Sequence, residues 1–280
     1  MILLYGIIFT YIMRIFFLFL VRLAAEDTFI TLLQQTFEIT ISMMKARYRK
    51  TVAGFIWVLL NPIIMFGAQS LAFKKFLKLS IPNYHLFLTS NLIPWIFLIT
   101  NLQMCTSIFE EKRMIIKSFK VNPLVFLFAQ IFDNFFNFTC TFLLLLLPLL
   151  WGSGLNTTGI LHLIIALPLL FVISGIISSL SAFLQVFYKD VRFVVQFLTS
   201  VIFFVTPVFY PIEYVPIEYR SLIELNIFYI AIKPINICLY NFDMQIFWLA
   251  IGKLVVVISG LLLVSYYTWR SKRNEFYLYL

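Results

Sequence analysis

The chain has 280 residues, 62% of them hydrophobic and only 12% charged, with a net charge of +9. A soluble globular domain is about half apolar and about a quarter charged, so this composition excludes an ordinary soluble core and points to lipid. The positive charge does not indicate nucleic acid. Cations gather at the ends of apolar runs, the arrangement that orients membrane proteins, and no basic stripe interleaved with aromatics lies on a polar segment.

Residues 1–27 form an apolar leader interrupted by Arg14 and closed by Arg22. Its uncharged start and Ala24-Ala25 make a poor signal peptide, and Arg14 at mid-depth of a span would be costly. The expectation is an interfacial or extra leading segment. Over 28–49, Phe29, Leu33, Phe37, Ile41, Met44 and Tyr48 recur at spacings of three and four, with Gln34, Glu38, Ser42, Lys45 and Arg49 on a neighbouring face. That is an amphipathic helix lying in the membrane surface, its cations at the C-terminal end where the helix dipole favours them.

Six spans are predicted near 52–73, 86–107, 124–150, 159–185, 193–211 and 246–268, within a membrane domain covering 50–280. At about 1.5 Å per residue each matches a hydrocarbon core of about 30 Å. The fold class is therefore all-α: a polytopic membrane protein of six transmembrane helices preceded by an amphipathic interface helix. Asn61-Pro62 falls in the middle of the first span. Proline there frees a backbone carbonyl and kinks the helix, which is tolerable where a neighbour or a cavity supplies a partner.

Two connections are long. The stretch 108–122, "IFEEKRMIIKSFKVN", places Glu110 and Glu111 before Lys112, Arg113, Lys117 and Lys120, an order that suits a short helix with dipole-matched ends. The segment 212–245 is too polar and too broken by proline to span. It reads as two short helices on the outer rim, the first running through "IEYRSLIELNIFY" and ending at Lys233-Pro234. Its tyrosines, with Phe209 and Tyr210, suit an interfacial aromatic belt or sugar rings.

Lys and Arg at 45–50, 112–120, 189–192 and 270–273 outweigh Lys74, Lys75, Lys78, Arg220 and Lys233 in the alternating segments. The bias puts both ends of the six-span unit inside. Asp133 and Lys253 are the two charges well within spans. Asp133 would line a hydrated cavity or pair with a cation, and Lys253 would snorkel outward. Cys105, Cys140 and Cys238 stand far apart, and His85 and His162 stand alone, so no metal site or disulfide framework is expected. The sequence contains no G-x-x-x-x-G-K-[ST] phosphate loop, no G-x-S-x-G and no H-E-x-x-H.

Four stretches, in order along the chain, carry a resemblance: "RYRKTVAGFIWVLLNP" at 47–62, "YHLFLTSNLIPW" at 84–95, "YKDV" at 188–191 and "TPVFYPIEYVP" at 206–216. Together with the six spans, the chain resembles the membrane-spanning permease subunit of bacterial ABC polysaccharide exporters, the type-2 exporters of O-antigen, capsule or teichoic-acid chains. Asn91 stands where that family often has Gly, and Asn226-Ile227 where Asn-Pro is common. The leader has no counterpart.

The resemblance implies a homodimer in the bacterial cytoplasmic (inner) membrane, served by two copies of a separate ATP-binding ABC subunit. ATP and Mg would be bound by that partner and no cofactor by this chain. It implies docking on the ATPase through the interface helix (Glu38, Lys45) and the 108–122 stretch (Glu110, Glu111, Arg113, Lys117). The lipid-linked glycan would pass between the two membrane subunits, with Trp57, Trp95, Tyr210, Tyr214, Glu213 and Glu218 on the path or at an outer gate formed by 212–245. Membrane lipid is the other partner, and nucleic acid is not one. Two rival readings remain at this point. One is a same-fold exporter of a drug or small lipid. The other is a polytopic enzyme acting on lipid-linked sugars through Glu213, Glu218 and Glu224.

Overall fold

The computed structural model describes residues 29–48, 56–76, 81–119, 121–152 and 156–280. The leader 1–27, Arg49, Lys50, Lys78 and Lys120 lie outside the described residues, as do the side chains of Lys74 and Lys75. Every described regular element is helical: α1 (Phe29–Tyr48), α2 (Ile56–Ser70) with a π-helical turn (Leu71–Phe76), α3 (Tyr84–Thr106), α4 (Ile108–Glu111), α5 (Arg113–Phe119), α6 (Pro123–Gly152), α7 (Thr157–Phe187), α8 (Val191–Val205), a 3-10 turn (Ile212–Tyr214), α9 (Ile217–Glu224), α10 (Ile227–Leu239), α11 (Met244–Lys272) and α12 (Phe276–Tyr279).

Of the described helices, α3, α6, α7 and α11 are long and apolar enough to cross a membrane, and the bent pair α9–α10 would make a fifth. The other two expected spans are shorter. α2 and α8 have 15 residues each, about 22 Å at the helical rise. α8 stops because Pro207 disfavours helical backbone at Thr206 and has no N–H of its own; Thr206 is extended, at φ −80° and ψ 128°.

The centre of the molecule is α3, buried on all sides from Leu86 to Trp95 and packed by α2, α6, α7, α8 and α10. Its start is set by Asn83 at φ 46°, a left-handed conformation that asparagine tolerates better than most residues. α7 is capped by Asn156, whose side chain accepts from Thr158 N. α11 is capped by Asp243, which accepts from Gln245 N and Ile246 N. Each cap satisfies backbone donors that a helix start leaves open.

The structure corrects one expectation and adds to another. First, the outer segment does not break at Lys233-Pro234. α10 runs through Pro234, and the chain turns instead by 94° between α9 and α10. The turn is fixed by Asn226, whose side chain accepts from Phe228 N and donates to Thr206 Oγ1. α10 is also packed into the helical bundle. Ile230, Ala231, Ile235 and Cys238 are buried, against α3, α7 and α11. Asn236 Nδ2 donates to Ser90 Oγ on α3. Proline is tolerated mid-helix because neighbouring helices pack around it. α10 and α7 approach so closely that a Cβ on Gly159 would lie 2.2 Å from the carbonyl oxygen of Cys238.

Second, α1 rests on α6 through a face that lies beside its apolar stripe. Leu32, Thr36 and Thr40 are buried, whereas Leu33 and Phe37 are 44% and 67% exposed. Small hydroxyl-bearing residues let helices approach closely in membranes. The stripe Leu33, Phe37, Ile41 and Met44 faces an apolar groove of about 570 Å³ against Phe132 and Phe136 of α6.

Candidate functional site

Arg47, in the last turn of α1, reaches Asp133, about three turns into α6: Nη2 lies 2.6 Å from Oδ2. The Asp133 side chain has no exposed surface and that of Arg47 has 29%. Of the two readings of Asp133, pairing with a cation is the one realised. Removing one partner of a buried pair costs about 3–5 kcal/mol, because the other charge is left uncompensated. The pair thus fixes α1 on α6. Asn137 follows Asp133 one turn later, on the same helix face.

The adjacent face of α6 carries a hydrogen-bonded ladder. Gln130 Nε2 donates to Asn134 Oδ1 at 3.0 Å, and Asn134 Nδ2 donates to Asn101 Oδ1 of α3 at 3.0 Å. Asn101 Nδ2 donates in turn to Ser174 Oγ at 2.7 Å and Ser178 Oγ at 3.1 Å on α7. Cys105 Sγ donates to Asn101 Oδ1, and Thr106 Oγ1 lies 2.9 Å from Ser181 Oγ. Three apolar helices are thereby tied in register by side chains whose only alternative partners would be absent from hydrocarbon. None of these residues stood out singly in the sequence. Their signal is the repeat at i and i+4 inside successive apolar runs: Gln130 and Asn134, Asn101 and Cys105, Ser174 and Ser178.

Between α2, α3 and α6 lies a cavity of about 330 Å³. Its walls are largely apolar, including Ile93, Ile96 and Phe138, but polar groups enter from every side: Asn61 from α2, Thr100 from α3, Asn134, Asn137 and Thr141 from α6, and Arg47 from α1. Trp57 and Pro62 complete the α2 wall. The Asn61-Pro62 step therefore faces a cavity, one of the two environments in which such a step is tolerated.

The remaining expected site residues are spread over the molecule. Trp57 is 58% exposed, at the cavity. Trp95 is 3% exposed and packs within the chain against Phe203 and Phe228. Tyr210 is half-buried, its hydroxyl donating to the Phe204 carbonyl. Tyr214, Glu213 and Glu218 are exposed near the 3-10 turn and α9, where Arg220 Nη2 donates to the Glu213 carbonyl. Lys253 does not simply snorkel outward; its Nζ lies 2.8 Å from Glu224 Oε2 and joins α11 to α9.

At the other end, Glu38, Lys45, Glu110, Glu111, Arg113 and Lys117 are exposed. Glu111 accepts from Ser107 Oγ, and Glu110 from Gln185 Nε2. The 108–122 stretch folds as two short helices rather than one, divided at Lys112. Phe109 and Ile116 are buried, while Met114 and Phe119 are 76% and 73% exposed.

The family model described as "ABC-2 type transporter" matches residues 34–240. Among curated proteins, the chain is similar to the O-antigen export system permease protein RfbA of Myxococcus xanthus, 27% identical over 172 residues, which covers 61% of this chain and 65% of that relative. Two proteins of the same name from Klebsiella pneumoniae are 26% and 24% identical over 199 and 192 residues, each match covering 67% of this chain and 73% of the relative. The matched part is thus a little under two thirds of the Myxococcus relative's length. The family match takes in the larger part of the sequence, from within α1 through the ladder and the cavity to the end of α10, and on that ground the chain belongs to the ABC-2 type transporter family.

Proposed function

We propose that this chain is the membrane subunit of an ATP-driven exporter that moves a lipid-linked polysaccharide, of O-antigen, capsule or teichoic-acid type, across the bacterial cytoplasmic membrane. It works as a homodimer with two copies of a separate ATP-binding ABC subunit, and the six apolar segments all cross the bilayer with both ends of that unit inside. The observation that carries this reading is the similarity, over about two thirds of the chain, to proteins named O-antigen export system permease. Three features support it. The sequence has no phosphate loop of its own. The acidic-then-basic stretch α4–α5 presents Met114 and Phe119 outward from a buried anchor at Phe109 and Ile116, a shape suited to insertion into a soluble subunit. Lys and Arg are concentrated in the segments at 45–50, 112–120, 189–192 and 270–273, which this reading places inside.

In the cycle we propose, nucleotide-driven closure of the partner moves α4–α5 and the exposed residues Glu38 and Lys45 of α1. That motion shifts a two-state membrane dimer between inner and outer openings. Deleting residues 110–117 tests the docking surface. Loss of co-purification with the ATPase and of surface glycan is expected; an intact complex and normal export would reject it. Export of a drug or small lipid, with surface glycan unchanged in a strain lacking the chain, would replace the polysaccharide reading with the rival transporter.

A further inference from the structure

We propose, on the exporter reading above, that Gln185 is a positioning residue for transport: its side-chain amide joins the docking stretch to the first turn of α8 and passes the movement of one to the other.

The inner end of α8 is not closed by its own residues. Asp190 stands at the cap position, but its side chain makes no capping bond. Arg192 N, one of the donors that a helix start leaves open, donates instead to Gln185 Oε1 in the last turn of α7, at 2.7 Å. A backbone N–H can only donate, so the amide oxygen must face it. The amino group of the same planar amide then meets two acceptors, Lys189 O at 3.3 Å and Glu110 Oε2 of α4 at 3.5 Å. Gln185 is 5% exposed, so a partner lost from this amide is not readily replaced by water. An amide that turns to follow Glu110 either leaves Arg192 N without its acceptor or carries the start of α8 with it.

α8 is built to follow. Thr199 is its one buried residue, while Phe193, Phe197 and Phe204 are 68%, 68% and 77% exposed. A helix that buries so little within its own chain can shift without breaking much packing. Polar bonds hold it at three heights. Gln185 engages the inner end, and Gln103 Nε2 of α3 donates to Thr199 Oγ1 at 2.9 Å. At the outer end Asn226 Nδ2, at the bend between α9 and α10, donates to Thr206 Oγ1 at 2.8 Å. A pull on Glu110 thus enters α8 at Arg192 and leaves it at Thr206, beside the outer segment.

The test is hydrogen exchange on the full chain with its ATPase in nanodiscs, with and without ATP and vanadate. In the unaltered chain, nucleotide trapping is expected to change exchange at 108–119 and also at 191–195, the latter by about tenfold. Gln185→Leu should keep the response at 108–119, lose the response at 191–195 and lower export by about tenfold while ATP hydrolysis continues. Gln185→Glu separates the link from the cap. Its carboxylate still accepts from Arg192 N, so exchange at 191–195 without nucleotide should match the unaltered chain. It has no donor for Glu110, so the nucleotide response at 191–195 and export should both fail. The amount of co-purifying ATPase and exchange across α10 should stay constant in both variants. Normal export by either variant overturns the proposal, as does an unaltered chain that responds at 108–119 and not at 191–195; the exporter reading survives both results. Failure of the unaltered chain to pair with an ATPase or to export glycan removes both.

Discussion

An Arg47→Met change would leave Asp133 with no exposed surface and without the cation that lies 2.6 Å away. Loss of about 3–5 kcal/mol is expected, seen as an earlier midpoint in a detergent unfolding titration. Adding Asp133→Leu to the same chain should recover most of the loss, because an apolar pair of similar size has no charge to strand. An unaltered midpoint for the single variant would show that the pair holds nothing. Gly159 is the second sensitive position. A methyl there meets the backbone oxygen of Cys238 at 2.2 Å, and a carbonyl held inside α10 cannot rotate away as a side chain would. Gly159→Ala is expected to cost about 1–3 kcal/mol by overpacking. Gly252→Ala, where a Cβ meets nothing within 4 Å, should be neutral or slightly stabilising, since alanine favours a helix by up to about 1 kcal/mol. The two glycines are indistinguishable in the sequence, because what separates them is the distance to another helix.

Among the elements, Asn226 does two tasks: it caps α10 through Phe228 N and ties the bend to Thr206. Asn226→Ala should cost about 1 kcal/mol through the cap alone and raise amide exchange in the first turn of α10. Pro234→Ala should leave the bounds of α10 where they are. An α10 first turn that stays protected in Asn226→Ala would deny the cap its role. This region also shows what the sequence makes legible and what it does not. α3, α6, α7 and α11 were readable because long apolar runs have few other fates. The break expected at Lys233-Pro234 follows a local rule, that proline ends helices, where tertiary packing prevails: Pro234 is buried in a helix packed by three others, and the chain turns at the asparagine eight residues earlier. α1 is legible as a helix, but the face it turns to α6 is not. Hydrophobic periodicity finds the face that avoids water, and in lipid that need not be the face that meets protein. Leu33 and Phe37 remain outside, while Thr36 and Thr40 pack inward. The ladder was missed for a related reason. Amides and hydroxyls scattered through apolar runs look like noise until the topology sets Asn134 of α6, Asn101 of α3 and Ser174 of α7 side by side.

At the scale of the whole molecule, the described residues form two apolar cores, not one. The larger gathers α3, α7, α10 and α11. The smaller collects Leu32 of α1, Phe109 of α4, Leu124 and Leu127 of α6, Phe183 of α7 and the chain's last residues, Phe276 and Leu280. Phe276 is its hub: it stacks on Phe183 with centroids 5.7 Å apart and meets Phe109 edge-on at 5.4 Å. Lys272 closes the same corner, its ammonium 3.2 Å from the Tyr188 hydroxyl in the "YKDV" turn. The tail therefore supports the stretch that the export reading assigns to docking, although no periodicity in residues 274–280 announces it. Truncating Phe276 to alanine removes a fully buried ring and is expected to cost about 3–5 kcal/mol. The two cores touch at Phe171, but the buried residues of α10 belong to the larger one alone, so the effect is expected to be local. Amide exchange should accelerate across 108–119, while α10, in the larger core, keeps its protection. If the ATPase docks on α4–α5, the same variant should lose co-purification without losing membrane insertion. Equal acceleration in α10 would mean that the two cores melt as one unit. Unchanged exchange at 108–119 would mean that the tail lies against the docking stretch without supporting it.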